Sequence, residues 1–285
     1  MGRSIITLLA ILACCLQLGI AQQQQVQLIK LSERVFEVKG GRGATGGVVV
    51  GHEAVLLIDT KMDQTSVEQT LAAVRGITDR PIRYLVNTHS DGDHTAGNRY
   101  MPTGITIISH QNCRKELFLP GRDGRPSQWA DPKMAEFIPS ITFSEGLDMH
   151  LGTTKVELRY FGIGHTTGDI VVYIPQDQIA FIGDQVFVGR TPLIHAYKGG
   201  SSLQQVKTLE RMLAGLPDAR TFCSGHAELV NRDAIMQYIE AMRTRHQKVR
   251  QLIKEGQSLD QIKASFPTDQ AALIEIIWNE LYSGQ

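Results

Sequence analysis

A chain of 285 residues exceeds what one small core needs and stays within the range of one large domain, so a single layered α/β domain is the expectation. Its 29 basic and 29 acidic residues cancel, and no Lys/Arg stripe with interleaved aromatics occurs. That excludes the electrostatic footprint of a nucleic-acid binder and points to a small-molecule partner.

The chain opens with "MGRSIITLLAILACCLQLGIA", in which Arg3 leads an apolar run ending at the small-x-small Gly19-Ile20-Ala21, followed by "QQQQ". This is the layout of a cleaved secretory signal: residues 1–21 read as a signal peptide, 22–285 as one domain with C-terminal helices, and the product as periplasmic or secreted. The uninterrupted apolar run is short of the roughly 20 residues a membrane span needs, so no stable span is expected. Cys14 after Ala13 leaves a lipid-anchored form open. Only Cys113 and Cys223 remain in the mature chain, too few for a disulfide framework, and whether they pair cannot be read from the sequence.

Beyond the signal, strand-like runs occur in the order "RVFEV", "GVVVG", "AVLLID", "IRYLVNT", "ITIIS", "KVELRYF", "DIVVYI", "QIAFIGD" and "ARTFCS", while 64–75, 203–214 and 231–255 carry helical spacing. No internal repeat or charged linker divides them. Between the first two runs, "GRGATG" at 41–46 satisfies a dinucleotide-binding pattern. A β-type run follows it, however, with no helix N-terminus to receive a pyrophosphate, and it reads as a hairpin loop. The Pro/Gly-punctuated segment 119–139 is too long for an ordinary connection and reads either as a lid or as a surface insertion.

Four of the strand-like runs stop at a Gly or polar residue and at once present histidine or aspartate. "YLVNT" delivers His89, Asp91, Asp93 and His94; "RYFGIG" delivers His165; "AFIG" delivers Asp184; "TFCSG" delivers His226. Any one of these histidines alone would read as a structural, hydrogen-bonded side chain. Strand ends on one rim of a layered fold converge, however, and seven imidazoles and carboxylates exceed what one tetrahedral ion uses, so two metal ions are implied. His89 and Asp91, at i and i+2, point the same way, and Gly92 lets the chain turn so that Asp93 and His94 face a second position.

"HSDGDH", with the later blocks "GHTTGD", "GD" and "GH", resembles the metallo-β-lactamase-fold superfamily, whose motif is H-x-H-x-D-H, and the likeness runs over nearly the whole mature chain. The resemblance implies an α/β (α+β) four-layer αβ/βα sandwich with two mixed β-sheets. It assigns His89, Asp91 and His165 to one ion, Asp93, His94 and His226 to the other, and Asp184 to both. Asp184 stands where zinc-dependent β-lactamases tend to carry Cys or Ser and is similar to the bridging aspartate of glyoxalase II-type thioesterases and lactonases, so the family name does not make the chain a β-lactamase. Asp91 replaces the middle histidine, a departure that resembles the flavodiiron branch.

The chemistry implied is a dinuclear metal-dependent hydrolase in which a metal-bridging hydroxide attacks an ester, thioester, lactone or amide-type bond. Asp93 is the candidate catalytic residue, orienting the hydroxide and passing a proton to the leaving group. Zinc is the default for both ions, and the harder carboxylate of Asp91 admits manganese or iron. Asn98, Arg190, His195 and Tyr197 are the candidate substrate-binding residues, with Trp129 and Lys198 as further pocket walls. A flavodiiron-like redox centre and a non-catalytic metal-binding protein are the alternatives; the first lacks a flavin motif as electron supply.

Overall fold

The apolar alternations of the chain become the strands of two sheets. The computed structural model describes residues 25–282, so the expected signal peptide lies outside the described residues. The first sheet contains β1 (Gln27–Lys30), β2 (Val35–Lys39), β3 (Gly46–Val50), β4 (Val55–Ile58), β5 (Ile82–Val86), β6 (Thr106–His110) and β7 (Ile141–Phe143), in that spatial order. Hairpins pair β1 to β4 antiparallel; β4 to β7 run parallel. The second sheet contains β8 (Gly146–Leu151), β9 (Thr154–Arg159), β10 (Val171–Ile174), β11 (Ile179–Gly183) and β12 (Thr221–Ser224), in the order β12-β11-β10-β9-β8. Because β10 is antiparallel to both β9 and β11, and β12 is parallel to β11, the strands β9, β11 and β12 end on one rim.

Helices cover the outer faces. They are α1 (Gln64–Arg75), a single turn α2 (Gly92–Thr95), α3 (Gln111–Leu117), α4 (Ser202–Gly215), α5 (Arg232–Lys254), α6 (Leu259–Ala264) and α7 (Ala271–Tyr282). Strand β4 shows why the layers form: all four of its residues are apolar because both of its faces are covered. Leu56 and Ile58 enter the core between the sheets beside Val172, Phe181 and Cys223, while Val55 and Leu57 face the core that α1 closes with Val67, Leu71 and Val74. A third core lies between the second sheet and the C-terminal helices, around Leu209, Phe222, Ile235 and Ile277. Truncating a fully buried residue such as Leu56 to Ala costs about 2–5 kcal/mol. The result is the expected four-layer αβ/βα sandwich with two mixed sheets.

The helix over 64–75 is found with those bounds, and those over 203–214 and 231–255 within one residue of them. Strand β1 went unread because it is mostly exposed and lacks an apolar stripe, and β8 because its buried positions, Met149 and Leu151, come only at its end. The "GRGATG" segment is the loop of the β2–β3 hairpin, with Gly41 and Gly43 at φ of 67° and 120°. Cys113 and Cys223 are both buried and free. No helix among the described residues is long and apolar enough to cross a membrane.

Candidate metal centre

The segments that follow four strand ends build the centre. His89 and Asp91 follow β5, Asp93 and His94 lie in α2, His165 follows β9, Asp184 caps the end of β11, and His226 follows β12. Two groups result, His89/Asp91/His165/Asp184 and Asp93/His94/Asp184/His226, each offering ligand-type atoms within 4.8 Å of one another. Asp184 belongs to both: its Oδ1 lies 3.1 Å from His94 Nε2 and its Oδ2 lies 3.2 Å from His226 Nε2. Asp91 Oδ2 lies 2.9 Å from His165 Nε2, and Asp93 Oδ2 lies 2.8 Å from His226 Nε2.

Three of the histidines are held from behind. His94 Nδ1 donates to Asp59 Oδ2 at 2.7 Å, and His165 Nδ1 donates to the Leu193 carbonyl at 2.8 Å. Thr88 Oγ1 donates to Asp59 Oδ2 at 2.7 Å and so accepts from His89 Nδ1 at 3.1 Å. An acceptor at Nδ1 fixes the tautomer and leaves Nε2 with its lone pair facing the centre, as in metal sites. His89 Nε2, His94 Nε2 and Asp184 Oδ1 are buried there with no hydrogen-bond partner. Orphaned buried acceptors converging on one point are costly unless a cation completes them, so the donor set fits divalent metal ions.

Electrostatics agree. Burial opposes ionisation of Asp91 and Asp184, yet it is overcome: the imidazoles of His165, His195 and His89 around Asp91, and those of His94, His226 and His89 around Asp184, hold both carboxyls well below the usual carboxylate range. Hydrogen bonds to Asp184 and Asp93 raise His226 to about 9. Carboxylates kept ionised among imidazoles suit a bound cation, because metal ligands must be deprotonated.

A capping role for Asp91 is excluded, since it occupies the N-cap position of α2 without a side-chain cap bond. The expected substrate contacts fare unevenly. Asn98 is a correction: it is fully buried, with its amide bonded to Asn87, Thr60 and the Phe137 carbonyl. Arg190 lies exposed on a groove of about 440 Å³ between the 187–192 loop and α5, whose wall includes Phe187. His195 is buried against the centre, 2.7 Å from Asp91 Oδ2. Tyr197 remains 49% exposed at the rim of a cleft of about 420 Å³, under the Arg122 guanidinium. Leu117, Trp129 and the 119–127 chain form the opposite wall of that cleft, so the long segment borders the site. Lys198 is no free cation, being bonded to Asp91 and Ser90.

Two residues outside the motif blocks' ligand positions shape the centre, Asp59 and Gly225. Asp59 closes "AVLLID" as another strand-end aspartate; the same pattern that marked the ligands marks it. Gly225 precedes His226: a Cβ there would collide with Asp184 Oδ1 and lie 2.7 Å from His94 Cε1. The β2–β3 hairpin loop also touches the centre, with Ala44 N donating to the Asp93 carbonyl and Thr45 N to the Gly225 carbonyl.

A family described as the metallo-beta-lactamase superfamily matches residues 40–226. Metallo-beta-lactamase type 2 of Bacteroides fragilis is 24% identical over 257 residues, spanning 83% of this chain and 96% of its own. Hydroxyacylglutathione hydrolase of Methylococcus capsulatus is 28% identical over 181 residues, spanning 61% of this chain and 60% of its own. Among solved structures, a metallo-beta-lactamase from Pontibacter korlensis superposes with a TM-score of 0.63 at 20% identity, covering 77% of this chain and 99% of that one, a likeness of fold.

Proposed function

The chain belongs to the metallo-beta-lactamase superfamily, and from that membership we propose that it is a dinuclear metal-dependent hydrolase acting on an ester, thioester, lactone or amide-type bond, β-lactams included. The observation that carries this reading is the convergence of two four-residue donor groups on a shared Asp184, with three histidines braced at Nδ1. His89, Asp91, His165 and Asp184 would hold one ion; Asp93, His94, Asp184 and His226 would hold the other. Divalent ions bound there supply Lewis acidity, lowering the pKa of water and polarising the oxygen of a substrate carbonyl.

The protein's own residues do the rest. Asp93 is only partly buried, with a side-chain exposure of 26%, and its Oδ2 faces His226 at the mouth of the site. There it can accept a proton from the attacking water and hand it to the leaving group. Phe187 stacks on His226 with ring centroids 6.0 Å apart and closes that flank to solvent. The cleft beside Ser90 and Lys198, walled by Leu117, Leu119, Pro120 and Trp129, has room for an acyl compound with an apolar group. Four histidines among seven donors favour zinc, and Asp91 admits manganese.

The test is a panel of β-lactam, thioester, lactone and phosphodiester substrates assayed with purified protein before and after chelation. Hydrolysis of an acyl substrate that disappears on chelation and returns with zinc or manganese is the expected result. Undiminished turnover by protein verified to be metal-free would sink the proposal. A redox role is not favoured, because the relatives described above bear the names of lactamases and acylglutathione hydrolases.

A further inference from the structure

The two donor groups are backed by opposite charges. Behind the Asp93/His94/His226 group stands a carboxylate: Asp59 accepts directly from His94 Nδ1 and reaches His89 only through the neutral Thr88 hydroxyl. Behind the His89/Asp91/His165 group stands an ammonium. Lys198 Nζ donates to Asp91 Oδ1 at 2.6 Å and to Ser90 Oγ at 2.8 Å, with its side chain only 9% exposed. The Ser90 hydroxyl is itself pinned by donating to Glu116 Oε2 at 2.5 Å.

The lysine is locked in place by its turn. His195 N donates to the His165 carbonyl, Lys198 N to the His195 carbonyl, and a Cβ at Gly200 would collide with the His165 carbonyl oxygen. His195 adds a second donor to Asp91. Arg122 Nη2, which can only donate, lies 2.9 Å from His195 Nδ1, so the His195 proton sits on Nε2 and points at Asp91 Oδ2, 2.7 Å away. That pattern is the reverse of the one at His89, His94 and His165, and it marks His195 as a hydrogen-bond donor to Asp91, not a ligand. Both oxygens of Asp91 are therefore already engaged, one of them by a full positive charge. Asp93, among the ion pairs of the described residues, faces only histidines.

We propose that Lys198 makes the two metal sites unequal: the Asp93/His94/Asp184/His226 site takes the first divalent ion, and the His89/Asp91/His165/Asp184 site takes the second more weakly because Lys198 holds Asp91. The proposal rests on the dinuclear reading and deepens it. Two effects of Lys198 oppose each other. Orienting a ligand by an outer contact typically gains about 10–100-fold in affinity. A buried cation in contact with the ligand carboxylate cancels its charge and repels a dication in a low-dielectric site, and that effect dominates.

The experiment titrates chelator-treated full-length protein with zinc at one fixed pH, in competition with a chromophoric chelator. Wild type is expected to fill in two steps, the second weaker by about tenfold or more. Lys198→Met tightens the second step by a similar factor and leaves the first unchanged, whereas Lys198→Arg keeps the wild-type separation. His226→Gln removes the tight step and Asp91→Asn the weak one. Lys198→Gln provides a second neutral variant should Lys198→Met fail to fold, as judged by thermal melting. A second step that is unchanged or weakened in the folded neutral variants overturns the inference while leaving the dinuclear reading intact. A wild type that binds no zinc overturns both. One ion in wild type and two in Lys198→Met would support the inference.

Discussion

Asp59→Asn isolates the charge behind His94 with little change of shape. Asp59 is 8% exposed and sits at φ 59°, in the left-handed region that Asn tolerates nearly as well as Asp, so the backbone is kept; Ala would add strain. The carboxylate accepts three hydrogen bonds of 2.7 Å, from Thr88 N, Thr88 Oγ1 and His94 Nδ1. An amide supplies one acceptor oxygen and one NH2. With the oxygen kept on Thr88 N, the NH2 confronts two donors. His94 then moves its proton to Nε2, into the metal site. A lost outer-shell partner of this kind costs about 10–100-fold in metal affinity, or about 1.4–2.8 kcal/mol. The mispaired buried donors cost a further 1–3 kcal/mol or so of folding stability. Chelator competition measures the first quantity and thermal or urea unfolding of metal-free protein the second. An Asp59→Asn variant whose affinity stays within twofold of wild type would refute the claim that Asp59 sets the histidine's tautomer.

Other outcomes follow from different parts of the molecule. Gly225→Ala places a methyl group against Asp184 and His94, and is expected to fold but to hold fewer than two metal ions by elemental analysis; two ions held at unchanged affinity would show that the loop can move aside. His246, packed on Ser202 Oγ at 2.7 Å, is lowered from 6.5 to about 4 by burial and by Arg245 and Arg250. The unfolded chain takes up that proton near 6.5 and the folded one near 4, so stability present above about 6.5 is lost as pH falls toward 4. His246→Gln should flatten that part of the melting-temperature profile, and an identical profile would discount the histidine. Export is proposed from the Arg3-led segment: intact-mass analysis of secreted protein should show loss of the first 21 residues, and an intact cytosolic Met1 form would contradict it.

The centre was legible because its ligands share one local grammar, an apolar run that stops and presents His or Asp, and because strand ends of layered folds converge. Asp59 obeys the same grammar, yet it stands in a run read only as a strand. Lys198, His195 and Arg122 were not legible in their roles. Lys198 lies 107 residues from Asp91, and nothing local says whether a loop cation faces solvent or a buried carboxylate. Asn98 misled for the opposite reason: its position beside the motif suggested a pocket wall, while the 3-10 turn that carries it directs the amide inward to Asn87. The edge strand β1 turns only Leu28 toward the core, and only partly, so periodicity offered no signal.

The most direct measurement of the central claim is metal stoichiometry coupled to turnover. Protein purified without added metal, then reconstituted with zinc, should hold close to two divalent ions per chain and hydrolyse at least one acyl substrate, with activity falling in step with metal as a chelator strips it. Fewer than one ion per chain after reconstitution, or hydrolysis that persists once the metal is gone, would contradict the account.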